Sequence, residues 1–346
     1  MGNTQRNVAI GALAGAGLIT ALSMRSAKSR RYMLDGKVAL VTGGSRGLGL
    51  VLARELASRG CTVAICARDA EELGRARDDI RQISPKVAAF ACDVRDKGDV
   101  QRLIADVNQL LGDIDILIND AGVISVGPVD LQTEDDFKEM MDIHFWASLH
   151  TMKAVLPQMK RRGSGRIANI ASIGGKIAVP HLAAYCASKF ALVGLSTAMR
   201  AELVKDGIYV TTVCPGLMRT GSHINAEFKG QREKEYTLFS LMDGSYFTSV
   251  SAEHAAKSIV RAVERGDAEL VISPQAKMAA KFYGVFPEVT ADILAMVDRV
   301  LPGPSGHTTA AKGLESQSAL SPSILTANID AASERNNELK PGQDIH

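Results

Sequence analysis

Thr42-Gly43-Gly44-Ser45-Arg46-Gly47-Leu48-Gly49 is the stretch that decides the fold. The short apolar run VALVT (Val38–Thr42) leads into it, and the helical pattern LVLARELASRG follows it. Glycines between a strand and a helix permit a tight turn, close approach of backbone to a pyrophosphate, and close packing of helix on strand. The N-terminus of that helix then offers free N–H groups and a positive dipole end to an anion. A plain structural turn also accounts for three glycines; the weight rests on their position at the first strand-to-helix turn.

Outward from this loop, β-branched runs alternate with amphipathic stretches. The strands expected are Val38–Thr42, Thr62–Ala67, Val87–Cys92, Ile114–Asn119, Gly165–Ile170, Ile208–Val213 and Glu269–Ser273. Near-continuous apolar strands with helices between them predict right-handed βαβ crossovers and one doubly wound, Rossmann-type α/β sheet of about seven parallel strands. The 346 residues are long enough for two average domains, and one large α/β domain with tails fits equally well. A content of 46% hydrophobic and 23% charged residues excludes a disordered chain, a collagen-like repeat and a polytopic membrane protein. Forty basic against thirty-eight acidic residues leave +2, so no overall field calls for nucleic acid. Five cysteines without a CxxC, and histidines without HExxH spacing, support neither a disulfide framework nor a zinc site.

The spacing TGxxxGxG resembles that of the short-chain dehydrogenase/reductase family. Asn119-Asp120-Ala121-Gly122 resembles its NNAG motif, and Ser172 follows the fifth strand. Tyr185 and Lys189 form its YxxxK, and Pro215-Gly216 with Thr220 match its PG motif after the sixth strand. The likeness runs from about Leu34 to Ser273, in order and spacing. It implies that Gly43, Ser45, Arg46, Gly47, Leu48 and Gly49 cradle a nicotinamide dinucleotide, with Pro215, Gly216 and Thr220 completing its site. It further implies that Asp93 and Val94 flank the adenine, that Asn119 and Ala121 line the adenosine ribose, and that Gly122 allows close approach. Asp120 departs from the family's amide and receives no catalytic role.

The end of the second strand sets cofactor preference. An acid there would bond the ribose 2′-OH and repel a 2′-phosphate. The chain has Ala67-Arg68 instead, with Asp69 only afterwards, and Arg46 approaches from the glycine loop. Two guanidinium groups suit a phosphate dianion, which favours NADP(H) over NAD(H). The bland alternative is a pair of solvated surface arginines.

Tyr185 and Lys189 lie four apart on a helix predicted over Ala183–Lys205, hence on one side of it. A free phenol titrates near pH ~10, and a neighbouring ammonium is expected to lower that value. Tyr185 then serves as general acid or base, Lys189 supports it and holds the nicotinamide ribose, and Ser172 hydrogen-bonds the substrate oxygen. His144 stands where the family commonly has an Asn that supports a relay water. An imidazole also holds a water, but its charge changes near neutral pH; a packed histidine is the alternative.

The function implied is NADP(H)-dependent interconversion of a lipophilic carbonyl and its secondary alcohol, with a catalytically weak dinucleotide-binding regulator as the alternative. Leu217–Val250 is expected to cover the substrate, bringing Ile224, Phe228, Tyr236, Leu238, Phe239, Leu241, Met242, Tyr246 and Phe247. Lys229, Arg232 and Lys234 meet an acidic head group, coenzyme A or solvent. Self-association stays open.

The ends differ from this catalytic segment, taken as residues 34–274. Within residues 1–33, the uncharged run Val8–Met24 precedes Arg25, Lys28, Arg30 and Arg31. As a helix it rises ~25 Å, the short limit for a membrane span, and its basic flank favours a cytoplasmic catalytic domain. A surface-lying helix, a cleaved signal and a soluble cytoplasmic protein are the alternatives. Residues 275–301 carry helical periodicity, through Phe282, Val285, Phe286, Val289, Ile293 and Val297, either packed on the domain or facing a dimer partner or membrane. Residues 302–346 are rich in Ser, Gly, Pro and Asn and read as a flexible tail.

Overall fold

The computed structural model describes residues 31–245, 248–304, 307–318, 320–323 and 326–345. The apolar run Val8–Met24 and the lid residues Tyr246 and Phe247 lie outside the described residues. Strands β1 (Val38–Thr42), β2 (Thr62–Ala67), β3 (Val87–Ala91), β4 (Ile116–Asn119), β5 (Gly165–Ile170), β6 (Ile208–Pro215) and β7 (Glu269–Ile272) form one sheet. Their spatial order is β7-β6-β5-β4-β1-β2-β3, and every pairing is parallel. This is the doubly wound α/β sheet expected from the sequence. Every residue of β1, β4 and β5 is buried, which is why these central strands read as unbroken apolar runs. At the edge, only Val87 of β3 is buried.

Helices follow in chain order as α1 (Gly47–Ser58), α2 (Ala70–Arg81), α3 (Lys97–Leu111), α4 (Glu134–Met141), α5 (Ala147–Arg162) and α6 (Ala183–Leu203). After them come α7 (Arg232–Gly244), α8 (Ala252–Arg265), α9 (Pro274–Val285), α10 (Pro287–Asp298) and α11 (Ala327–Arg335). Side chains alternate across β1: Ala39 and Val41 join α1, α2 and α8 in one apolar layer, while Val38 and Leu40 join α3 and α5 in the other. Each wholly buried Leu or Ile there, such as Leu40 or Leu117, stabilises the fold by about 1.5–3 kcal/mol. Helix starts are set by caps: the Asp69 carboxylate accepts from the Glu71 and Glu72 amides, and that of Asp96 from the Asp99 amide. Helix α6 stops at Leu203, slightly before the predicted Lys205, and passes into a 3-10 turn over Val204–Asp206.

Two C-terminal features follow the sheet. Helices α9 and α10 form at residues 274–298, but little of their apolar side packs on the domain: Met278 is 70% exposed and Val285 67%, and Phe286, Ile293 and Met296 are exposed too. The segment after Pro302, read from sequence as a flexible tail, is in its described part folded onto the domain. Ala311–Lys312 pairs with Glu227–Phe228, which pairs with Ser125–Val126. Beyond it, α11 buries Ile329 and Ala332. The rest of its attachment is polar, through Ser333, Asn336, Asn337 and Glu338, so no apolar period announces it.

Candidate active site

The sheet order reverses between β1 and β4, and a crevice opens at the carboxyl ends of strands at such a switch point. The glycine loop leaves β1 there. Gly43 has φ +68°, and a Cβ on it would stand 2.8 Å from the Ala121 Cα; one on Gly49 would stand 2.1 Å from the Gly43 oxygen. Thr42 ties this loop to the Asn119–Gly122 turn, its Oγ1 accepting from the amides of Asp120 and Ala121 at 3.2 Å each. Asn119 lies elsewhere than the resemblance implies. Its amide donates to Asn169 Oδ1 (2.8 Å) and accepts from Thr151 Oγ1 (2.7 Å), so the side chain locks β4 to β5 and α5 inside the core instead of lining a ribose.

Ser172 leaves β5 in an extended conformation and its Oγ accepts from the Gly174 amide at 3.0 Å. Its hydroxyl and the Tyr185 ring flank the same glycine: a Cβ on Gly174 would stand 3.5 Å from Ser172 Oγ and 3.2 Å from Tyr185 Cε1. One turn along α6, Lys189 places its Nζ 5.6 Å from the Tyr185 ring centre and donates to the Ile170 carbonyl at 3.0 Å. The structure thus brings Ser172, Tyr185 and Lys189 together as expected. The phenol differs from expectation: burial pushes it up to about 12, with Ser172 opposing and Asp243 and Asp120 adding to the rise. Burial likewise brings Lys189 down to about 8, against the attraction of Asp120.

His144 sits in a one-turn π-helix, Asp142–Trp146, between α4 and α5; such bulges recur at functional sites. Its Nε2 accepts from the Val123 amide at 3.3 Å, so the ring proton lies on Nδ1, which faces Ser188 Oγ at 2.8 Å. Ser188 in turn donates to the Tyr185 carbonyl at 2.7 Å. The ring is buried, lies edge-on to Tyr185 at 5.5 Å, and would meet a Cβ on Gly122 at 2.9 Å. Burial, then Lys189, holds its pKa well below 6.5. This corrects the expectation for the imidazole. Both nitrogens are engaged by protein, leaving neither for a relay water, and the ring stays neutral through physiological pH. Through Ser188, His144 is linked to the Tyr185 turn of α6.

A profile of the short chain dehydrogenase family matches residues 37–229. The chain belongs to the short-chain dehydrogenase/reductase family. It is 34% identical over 74% of its length to a "Dehydrogenase/reductase SDR family protein 7-like" of Anopheles gambiae, covering 81% of that protein. It is also 32% identical over 77% of its length to "Dehydrogenase/reductase SDR family member 7B" of Danio rerio, covering 87% of it. A solved short-chain dehydrogenase from Streptomyces avermitilis superposes with a TM-score of 0.66 at 30% identity, over 76% of this chain and 97% of that one. The protein is therefore a dehydrogenase/reductase enzyme, and the family uses NAD(P)(H).

The residues of this short-chain dehydrogenase/reductase fit such a cofactor. Gly47, at φ +54°, leaves a cradle above the start of α1, and a carboxyl oxygen already lies in it: Glu338 Oε1 is 2.6 Å from where a Cβ would stand. Gly43–Gly49 would hold the phosphates on one side, with Thr220 and its partner Ser222 on the other. Leu48 and Val94 are buried, Asp93 is gripped by Arg95, which holds it below the usual carboxylate range, and Arg68 is exposed beyond β2. Arg46 pairs with Glu72 (3.0 Å) and Glu338 (3.3 Å). Pro215 ends β6 opposite Ile272, and a Cβ on Gly216 would stand 3.1 Å from Ser273 Oγ.

Two acids beside the site have properties that depend on the fold. Burial pushes Asp120 up to about 8, with Lys189 pulling it back, and pushes Asp243, at the end of α7, up to about 7. The departure from an amide at Asp120 was visible, but its coupling to Lys189 needed the fold. The lid also differs from expectation. Ile224, Phe228 and Tyr236 are wholly buried, and Phe228 and Tyr236 form the lid's own core with Val126 and Ala226. Leu238 and Met242 are the exposed apolar residues of α7. Lys229 is buried against Asp136, and Arg232 donates to Thr309, so protein groups occupy both cations.

Proposed function

We propose that the enzyme reduces a lipophilic ketone, or oxidises the matching secondary alcohol, with NADP(H) as its preferred cofactor. The observation that carries this reading is the convergence of Ser172 and Tyr185 beside Gly174, with Lys189 one turn away, at the switch-point edge that also bears the glycine loop. The dinucleotide, when bound, supplies or accepts the hydride. In the reductive direction Tyr185 donates its proton to the carbonyl oxygen as negative charge develops there. Ser172 donates a hydrogen bond to the same oxygen, and the Lys189 ammonium favours the phenolate left behind. A phenol held neutral by burial is poised as the acid, which suits reduction at neutral pH.

Preference for NADP(H) is supported by the end of β2. No acid occupies it, and the Asp69 carboxylate is engaged as the cap of α2. Arg46 and Arg68 supply positive charge on either side for a 2′-phosphate. The lipophilic substrate class is supported by the apolar lid and by Leu238 and Met242 on its outer helix. Among the described residues no helix is long and apolar enough to cross a membrane. Anchoring therefore falls, in this proposal, to Val8–Met24, with the catalytic domain in the cytoplasm; resistance to a carbonate wash tests it. The activity itself is tested by NADPH oxidation against a panel of cyclic and long-chain ketones. Turnover with at least one, lost in Tyr185→Phe, supports the reading; turnover unaffected by that substitution refutes it.

A further inference from the structure

The crevice between the glycine loop and the turn after β6 is filled by the chain's own C-terminal segment. The Gly47 amide, at the start of α1, donates to the Asn336 carbonyl at 2.9 Å. Asn337 Nδ2 donates to the carbonyls of Ser45 (2.8 Å) and Glu72 (3.1 Å), while Arg75 donates to its Oδ1 at 2.8 Å. On the opposite wall, Asn336 Nδ2 donates to the Thr220 carbonyl (3.0 Å) and Ser333 Oγ to the Gly221 carbonyl (3.2 Å). Between the walls lies Glu338, buried, its carboxylate paired with Arg46 and accepting from Asn225 Nδ2 at 2.7 Å. Arg54 holds the end of α11 from outside through the Arg335 carbonyl and Asn336 Oδ1.

These contacts use the groups that hold a nucleotide phosphate in the reading above: a helix N-terminus, the Gly47 amide and the Arg46 guanidinium. A carboxylate on them satisfies the same donors with a single charge. We infer that residues 326–338 are an intramolecular plug that competes with the dinucleotide for the glycine-loop groove, so that cofactor binding requires the segment to leave. This rests on the NADP(H) reading of the groove. Asn and Glu at 336–338 are chemically suited to such a role. They bind by hydrogen bonds that water replaces on release, so the apolar surface exposed is chiefly that of Ile329 and Ala332. The apparent cofactor affinity is then the intrinsic one multiplied by the fraction of molecules with the plug out.

The test is hydrogen exchange of the full-length protein with and without saturating NADPH, together with NADPH affinity from cofactor fluorescence. Amides of residues 328–338 are expected to be protected in the free protein and to lose protection when NADPH binds. Glu338→Ala with Asn337→Ala is expected to tighten NADPH binding by about tenfold or more, because the competitor is weakened. NADPH binding with no change in protection of that segment overturns the plug and leaves the cofactor reading intact. Equal affinity of wild type and a folded double variant overturns it as well. Failure of both proteins to bind either dinucleotide overturns the cofactor reading and the plug together.

Discussion

Replacing His144 by Phe tests the positioning network behind Tyr185. The ring volume is nearly kept, so the change is chiefly the loss of two buried hydrogen bonds. The Val123 amide loses its acceptor, and Ser188 loses the donor on its Oγ while still donating to the Tyr185 carbonyl. An orphaned buried donor costs about 1–3 kcal/mol and the lost acceptor contact about 0.5–1.5, so His144→Phe is expected to cost about 2–4 kcal/mol at pH 7.5. The dependence on pH is the sharper part. His144 is held neutral in the fold, whereas in the unfolded chain it takes up a proton below about pH 6.5. The unfolded state thus binds more protons in that range, and stability falls as pH falls by about 1.4 kcal/mol per pH unit from this residue alone. The Phe variant lacks that slope. The deficit of the variant, measured by urea unfolding, should therefore shrink by about 2 kcal/mol between pH 7.5 and pH 5. A deficit that is constant with pH, or a His144 resonance titrating near pH 6.5, refutes the neutral, doubly bonded imidazole.

Tyr185→Phe should abolish carbonyl reduction while NADPH affinity stays within a few-fold, read by stopped assays and cofactor fluorescence. Arg68→Asp should lower the ratio of kcat/KM for NADPH over NADH by about tenfold or more, since repulsion replaces attraction at the 2′-phosphate; an unchanged ratio that favours NADPH assigns the preference to Arg46, and one that favours NADH refutes the NADP(H) reading. Burial pushes the docked Glu338 up to about 7, with Arg46 and Asn225 opposing and Glu72 assisting, against the ordinary 4.5 of a released chain. Docking therefore takes up a proton between those values, and protection of residues 328–338 should rise as pH falls from 8 to 5.5. Glu338→Gln should flatten that dependence.

The frame and the reacting residues were legible because they rest on strong local signals. Buried central strands such as Ile116–Asn119 show as continuous apolar runs, and the glycines of the first turn, with Tyr185 and Lys189 one turn apart, need only spacing. The rest depends on groups distant in sequence. The π-turn that carries His144 has no compositional mark, and the group that fixes its proton, the Val123 amide, lies in the turn after β4. Phe228 and Tyr236 were rightly read as apolar, but composition does not say whether an aromatic faces substrate or a neighbouring Val126. Lys229 looked solvated until Asp136 was brought beside it. The C-terminal segment is illegible for a related cause: it is held by Asn, Ser and Glu, in part through backbone groups of the glycine loop and the Thr220 turn, and such residues carry no apolar period.

The order in which the chain is made gives that attachment a history. Both walls of the groove, Thr42–Gly49 and Pro215–Gly221, are synthesised before the residues that fill it, with more than a hundred residues between Gly221 and Glu338. At ordinary rates of translation this interval lasts roughly 6–25 s, and domains fold as units while synthesis continues. A nascent sheet therefore passes through a period in which its nucleotide groove is built and its own competitor does not yet exist. Dinucleotide present during synthesis meets an open groove, whereas dinucleotide added to the finished protein meets a filled one.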